Sequence, residues 1–285
     1  MVPYRTRFAP SPTGYLHLGH VVSALYARLM AGSDGQFYVR IEDCDQVRCT
    51  DFFRTALIDD VQWLGLWPDQ DVRIQSAHKA EYEGILAILR RRGLIYPCWC
   101  SRREVAENAL HRAPDGGFVY NGRCRSGARS CESSESPQWR LDMQRALSLL
   151  GGEPGWMEIG PCAGRGLHKG QAAAFGDVVL ARRDTGLSYH LCVTYDDAVQ
   201  DINCVTRGMD IEPLTSIHRV LQKLMGWPEP VYAHHALIMD PQSGKKLSKR
   251  EGAEGLRYLK TKEWSADQVR NHPLVRQALA ASFAP

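Results

Sequence analysis

Two histidines three positions apart, in Tyr15-Leu16-His17-Leu18-Gly19-His20, can share one face of the first turn of a helix. A helix start offers unpaired backbone N–H groups and the positive end of the dipole, both suited to a phosphate chain, and imidazoles add donors aimed at the same oxygens. Far along the chain, Lys246-Leu247-Ser248-Lys249 offers ammonium groups that can reach a reacting phosphate. Cations placed at a leaving pyrophosphate stabilise its developing charge, and no side-chain nucleophile is required. Together the two segments read as one ATP site. Its catalytic groups are His17, His20, Lys246 and Lys249, and its nucleotide contacts are His17, Gly19, His20 and Lys249. Taken singly, His-x-Gly-His is as readily a packed helix start, and a Lys-rich tetrapeptide is usually solvated surface.

A second constellation could hold a metal. Cys98-Trp99-Cys100 places two thiolates where they can chelate one ion, and Cys124, in Tyr120-Asn121-Gly122-Arg123-Cys124, can add a third sulfur from a returning segment. On spacing alone Cys131 is the obvious fourth ligand, with His111 a weaker one. A metal-free cysteine cluster is the other reading.

The elements that must position these groups alternate. An apolar strand at 5–8 leads into a loop stiffened by Pro10 and Pro12, and Gly14 relieves the turn before a helix at 21–30. A strand at 36–41 and helices near 52–64 and 81–92 follow, an order that predicts an α/β fold with a parallel, Rossmann-type sheet. From Tyr96 to about Pro161 the texture changes to Gly, Ser, Cys and charge, which reads as an inserted α+β subdomain containing zinc. Strands are then predicted at 177–182 and 187–194, joined by the Asp184-Thr185-Gly186 turn, and at 202–206 and 231–239. The lysine loop follows the last of them, after the turn Asp240-Pro241-Gln242-Ser243-Gly244. The predicted division is 1–95 and 176–285 for the two halves of the catalytic domain, with 96–175 inserted between them. The tail carries weak helical pattern at 265–269 and 274–279 and is expected only to pack.

A chain of 285 residues, 44% hydrophobic, can bury one large core or two smaller ones. Its net charge of +3 permits an anionic partner without demanding one. The start, Met1 to Phe8, has no apolar signal core, no run approaches membrane-spanning length, and nine cysteines without a secretion signal fit a reducing compartment. A cytoplasmic enzyme, working as a monomer away from membranes, is the expectation.

The joint occurrence of Pro-x-x-Gly, His17-x-Gly19-His20 and Lys246-Leu247-Ser248-Lys249, in this order, resembles the class I aminoacyl-tRNA synthetases. Arg7-Phe8-Ala9-Pro10-Ser11-Pro12-Thr13-Gly14 resembles their glutamyl branch, since the glutaminyl branch typically has glutamate where Ser11 stands. Arg40-Ile41-Glu42-Asp43 resembles the family's Arg-Ile-Glu-Asp signature. The resemblance implies a glutamate site made of Arg7, Ala9, Ser11, Glu42, Tyr189 and Arg207. In it Arg7 meets a substrate carboxylate, Glu42 the α-ammonium, and Arg207 the γ-carboxylate that separates glutamate from glutamine. Without the resemblance, Arg7 would read as a strand-end surface salt bridge, and Asp43 and Asp45 as capping or structural charges. This chain has Cys44 where relatives often have Thr, with no functional effect expected, and His190 where many have Asn. His190 could contact substrate, although a packed strand histidine is the plainer reading.

Tyr-x-x-x-Cys after Cys-x-Cys is similar to the glutamyl-queuosine tRNA(Asp) synthetases, in which a phenolate completes the zinc shell. That implies Cys98, Cys100, Tyr120 and Cys124 around one structural zinc. Only the short segment 250–285 follows Lys249, which leaves no room for the anticodon-binding domain of glutamyl-tRNA synthetases. The resemblance therefore implies an enzyme that uses ATP with Mg²⁺ to activate L-glutamate, without tRNA, and passes it to queuosine in the anticodon loop of tRNA(Asp). A truncated synthetase charging a tRNA 3′ end, or a non-catalytic RNA-binding descendant, are the alternatives.

Overall fold

The computed structural model describes residues 3–127, 136–184, 186–239 and 255–284. Strand β1 (Arg5–Phe8), buried from Thr6 onward although only Phe8 is apolar, runs through the two-proline loop into α1 (Leu18–Ala31), and β2 (Gln36–Ile41) returns parallel to β1, with Arg7 opposite Tyr38. Thr50 caps α2 (Asp51–Trp63) through the Phe53 N–H, and β3 (Arg73–Ile74) pairs in parallel with β2 before α3 (Lys79–Arg91). The helices begin one to three residues before their predicted starts. For α1 and α2 the reason is the cap, since His17 and Thr50 hold first-turn N–H groups that an apolar pattern does not register.

The middle of the chain is antiparallel. β4 (Ile95–Cys98), the short α4 (Arg102–Glu107), β5 (Gln138–Leu141) and α5 (Met143–Leu150) are followed by β6 (Trp156–Glu158), β7 (Gly166–His168), β8 (Val179–Arg182) and β9 (Gly186–Leu187). β4, β5, β8 and β9 form one antiparallel sheet in that order, with β8 and β9 making the predicted hairpin.

The chain then builds α6 (Tyr189–Val199), β10 (Cys204–Gly208), α7 (Thr215–Met225) and β11 (Val231–His235). β10 pairs in parallel with β11 and β11 with β6, while β7 adds an antiparallel edge. Asn203 stitches β1 to the start of β10: its Oδ1 accepts from the Arg5 N–H at 2.7 Å, and its own N–H donates to the Arg5 carbonyl at 3.2 Å. The strands thus succeed one another as β3, β2, β1, β10, β11, β6. Chain order reverses between β1 and β10, and the crevice beyond the strand C-termini at such a reversal is where open α/β sheets bind ligands.

The predicted boundary at 175/176 is crossed in both directions. β6, from the segment assigned to the insertion, pairs with β11, whereas β8 and β9, assigned to the returning catalytic half, complete the antiparallel sheet. The strand predicted at 187–194 is corrected, because only Gly186–Leu187 is strand and Tyr189 opens a helix. Ser188 ends the strand and caps the helix, its Oγ accepting from the Leu191 N–H at 3.4 Å. Leu191, Cys192, Val193 and Thr194 are all buried, and a helix buried on nearly every side leaves an unbroken apolar run like that of a core strand.

The tail does pack. α8 (Leu256–Thr261), α9 (Ala266–Arg270) and α10 (Pro273–Phe283) add Leu256, Leu259, Val269, Val275 and Ala278 to the core formed by α1, α2, β1 and β2. No helix among the described residues is long and apolar enough to cross a membrane.

Candidate active site

A cavity of about 540 Å³ opens beyond the C-terminal ends of β1, β2, β10 and β11, lined among others by Arg7, Ser11, His17, Glu42, Tyr189 and Arg207. Ala9, Gly19 and His20 also face it, so every described residue of the predicted glutamate and nucleotide sets meets in one place.

At the nucleotide end, His17 is the N-cap of α1. Its Nδ1 accepts from the Gly19 N–H at 3.1 Å, and the His20 Nδ1 accepts from the His17 N–H at 3.1 Å, closing a reciprocal capping box with the rings 3.9 Å apart. Because both Nδ1 atoms act as acceptors, the tautomer of each ring carries its hydrogen on Nε2, which makes Nε2–H the donor each can offer a phosphate oxygen. A Cβ at position 19 would lie 3.0 Å from the His17 ring, so glycine there lets the ring fold back onto the helix.

Arg7 and Arg207 are both buried and are held in opposite ways. Arg7 grips Asp197 through Nε (2.8 Å) and NH2 (3.3 Å) and gives NH1 to the Thr206 carbonyl at 2.8 Å. The salt bridge is real but buried, not on the surface. Although burial opposes both ions, their mutual attraction keeps the Arg7 guanidinium charged and, with Arg40, draws the Asp197 carboxyl below its ordinary range. Arg207 instead donates to neutral acceptors: Nε to His234 Nε2 (3.1 Å), NH1 to His218 Nδ1 (2.9 Å) and NH2 to the Thr215 hydroxyl. Burial holds His234 at about 4 and His218 well below its usual value, so neither ring competes as a cation. No carboxylate among the described residues pairs with Arg207, and a buried, uncompensated guanidinium is an anion site.

Glu42 is the complement. It is 8% exposed, its carboxylate accepts no hydrogen bond among the described residues, and Arg40, at 3.8 Å, is too distant to donate. Burial pushes its carboxyl up to about 7 against the pull of Arg40 and Arg7. A substrate ammonium would repair that deficit.

Outside this cavity, the sulfurs of Cys98, Cys100 and Cys124 lie within 4.8 Å of one another. Zinc–sulfur bonds of about 2.3 Å place tetrahedral sulfurs about 3.8 Å apart, so the spacing fits. The Tyr120 oxygen stands 3.4 Å from the Cys100 sulfur and accepts from the Cys124 N–H at 2.7 Å. Burial and bonds to the three thiols push the Tyr120 phenol up, so a phenolate there requires a cation. His111 is exposed and is not among the gathered residues.

Residues 3–277 match the family described as tRNA synthetases class I (E and Q), catalytic domain. The chain is 44% identical over 275 residues to a glutamyl-Q tRNA(Asp) synthetase of Rhodobacter capsulatus, covering 93% of this chain and 98% of that one. The chain belongs to the glutamyl-Q tRNA(Asp) synthetases. A second such synthetase, of Janthinobacterium sp., is 37% identical, with 89% of this chain and 84% of that one covered. Among solved structures, a glutamate tRNA ligase from Elizabethkingia meningosepticum in complex with its amino acid superposes with a TM-score of 0.73 at 25% identity, over 99% of this chain and 67% of that one. The glutamate-tRNA synthetase of Elizabethkingia anophelis gives 0.70 at 28%, and there the match covers 87% of this chain but only 53% of the other.

As a glutamyl-Q tRNA(Asp) synthetase, the protein is a ligase with a class I catalytic domain. Lys246 and Lys249, and Cys131 as the alternative metal ligand, lie outside the described residues. His190 stands on α6, not on a strand, its Nδ1 3.2 Å from His218 Nε2. Sequence reading missed Asp196 and Asp197. Asp197 holds Arg7 and Arg40, and Asp196 accepts from Arg73, Gln75 and Tyr82 at 2.8–3.0 Å. Two adjacent carboxylates closing an apolar run were the available signal, because buried charges persist only when paired. His218 and His234 were missed as well, and nothing local to their sequence marks them.

Proposed function

We propose that the protein joins L-glutamate to ATP, forming glutamyl-adenylate, and then passes the glutamyl group to queuosine in the anticodon loop of tRNA(Asp). The observation that carries this reading is the meeting, in one cavity, of a Glu42 carboxylate that accepts no hydrogen bond among the described residues, with Arg40 no nearer than 3.8 Å, and an Arg207 guanidinium that no carboxylate of the described residues pairs with. Glutamate has the matching charges: Glu42 takes its α-ammonium and Arg207, beside Tyr189, its γ-carboxylate. Glutamine would leave the Arg207 charge buried and unpaired, a loss of several kcal/mol. Arg7 has two N–H groups beyond those given to Asp197 and Thr206, enough to steady a carboxylate.

In the first step an α-carboxylate oxygen attacks the α-phosphorus, the bond from phosphorus to the bridging oxygen breaks, and pyrophosphate leaves with that electron pair. His17 and His20 donate from Nε2 to phosphate oxygens at the α1 N-terminus, and Lys246 and Lys249 add positive charge. Mg²⁺ carried by ATP supplies further charge neutralisation on the phosphates. In the second step a ring hydroxyl oxygen of queuosine attacks the activated carbonyl carbon, and AMP departs. Orientation of that hydroxyl is the main contribution of the protein. Cys98, Cys100, Cys124 and Tyr120 would hold a structural zinc that staples the β4 end of the antiparallel sheet.

The decisive experiment supplies ATP, Mg²⁺ and labelled glutamate with tRNA(Asp) carrying or lacking queuosine, then locates the label by nuclease digestion. Label confined to an anticodon-loop fragment of the queuosine-bearing tRNA is the expected result. Label at the 3′ end would replace the reading with ordinary aminoacylation.

A further inference from the structure

Two further cavities continue from the glutamate site along the antiparallel sheet. One of about 210 Å³ shares Tyr189 with the main cavity and is lined by Asp115, Phe118, Arg182 and His190. The next, of about 610 Å³, shares Phe118, Arg140 and Arg182 with it and reaches Arg102 and Arg183. Asp115 lines only the nearer cavity, Phe118, Arg140 and Arg182 line both, and Arg183 and Arg102, the latter paired with Asp184 at 2.9 Å, line only the farther one.

We infer that this path is the seat of the acceptor nucleotide. In it Asp115 is the counter-charge for a cationic amine on the arm of the base, Phe118 a stacking platform, and Arg182, Arg183 and Arg102 the phosphate contacts. The inference rests on the proposed acylation of queuosine and names its binding site.

Asp115 is held in place by its own turn. Ala113 N–H donates to the Gly117 carbonyl and Gly116 N–H to the Ala113 carbonyl, both at 2.8 Å, and the Asp115 Oδ1 accepts from the Gly117 N–H at 3.0 Å. Oδ2 makes no hydrogen bond among the described residues, so it is available to a ligand. His190, in the same cavity, is held neutral by burial, and the cations there are Arg182 and Arg140, which gives NH1 to the Asp177 carbonyl at 2.8 Å and lies over the Tyr120 ring. Phe118 is 46% exposed, and the Arg112 guanidinium lies 3.8 Å from its ring centre, which fixes the ring as a face for a splayed base. Arginines at the far end suit phosphodiester oxygens, which position a strand without reading its sequence.

Queuosine matches this set of groups, because its base carries a secondary amine, protonated near neutral pH, between the purine-like ring and a cyclopentene diol. Tyr189, which lines both this cavity and the glutamate site, is where a diol carried by a base bound at Asp115 and Phe118 would meet the activated carbonyl. A guanosine in the same place has no cation to offer Asp115, so the carboxylate would select the modified base.

The test compares wild-type protein with Asp115→Asn and Asp115→Glu. It measures kcat and KM for queuosine-bearing tRNA(Asp), glutamate-dependent exchange of pyrophosphate into ATP, and calorimetric binding of free queuosine nucleoside against guanosine. Loss of one charge-assisted contact should raise the tRNA KM of Asp115→Asn about tenfold relative to any change in exchange, with partial recovery in Asp115→Glu. The nucleoside should bind wild type better than guanosine does and lose that margin in Asp115→Asn. An unchanged tRNA KM, or equal nucleoside binding by the two proteins, overturns the pocket while leaving the acylation reading intact. Wild-type protein that exchanges pyrophosphate yet labels only a 3′ end overturns both.

Discussion

Glu42 and Arg207 bring opposite charges into one cavity, and the protein leaves each wanting a partner. With the Glu42 carboxyl near 7, the fraction ionised, and so able to hold an ammonium, falls as pH drops below that value. The glutamate KM should rise about tenfold per pH unit below about 7 and flatten above it. Glu42→Gln should abolish the inflection, and a KM independent of pH between 6 and 8 in the wild type would remove Glu42 from the ammonium site. Replacing Arg207 by Ala should raise the glutamate KM about 100-fold while leaving the ATP KM within a few-fold. Lysine should not rescue it, since three donors on one nitrogen cannot span His234, His218 and Thr215 and still leave the two N–H groups that Arg207 keeps for a carboxylate. Equal effects on both substrates would refute the assignment. The histidines around Arg207 set a stability trend of their own. His190 and His234 sit near 4 when folded and near 6.5 when unfolded, so between those values the unfolded chain binds more protons. Folding stability should therefore fall as pH drops from about 6.5 toward 4, and denaturant midpoints measured across that range check it.

At the scale of the element, two helix starts carry function. The α1 cap holds both histidines at the main cavity, where the proposed reaction puts the phosphates, and it fits because residue 19 has no side chain. Gly19→Ala should displace the His17 ring and cut pyrophosphate exchange at least tenfold, with glutamate binding retained; exchange within two-fold of wild type would show that the ring position does not matter. The start of α6 is governed by Ser188, whose removal as Ala should cost about 1 kcal/mol, read as a lower denaturant midpoint. The cysteine knuckle joins the end of β4 to the loop after Tyr120, and Arg140 reaches the Cys98 sulfur at 3.3 Å. A strong chelator should release about one zinc per chain and lower the thermal midpoint, whereas protein purified without metal and indifferent to chelator would leave a thiol cluster only. Much of this was readable beforehand, because His-x-Gly-His, the two-proline loop and Cys-x-Cys are local patterns. The error at 187–194 arose where the unbroken buried run from Leu191 to Thr194 erased the period that separates helix from strand.

For the whole molecule, the arrangement that matters is the reversal between β1 and β10, since it brings Arg7 and Glu42 from the first sheet half to Tyr189 and Arg207 from the second. Asp197 ties the halves together by holding both Arg7 and Arg40. Asp197→Ala would take from buried Arg7 the carboxylate that grips it and leave Arg40 only Asp196 and Glu42, each at 3.8 Å, and should destabilise the fold by about 3–5 kcal/mol, so loss of soluble, folded protein is the expected readout. The amino-acid sequence by itself determined the α/β class, the strand and helix order of the first half, residues that come to line the main cavity and the cysteines that gather, because each depends on side-chain type and short spacing. Only the tertiary structure decided which strands share a sheet, that Arg7 is spoken for by Asp197 while Arg207 rests on neutral imidazoles, and that Asp115 faces the path beside Tyr189. Those depend on contacts between residues a hundred or more positions apart, or on burial that silences a charge, and neither is written in any local stretch of the chain.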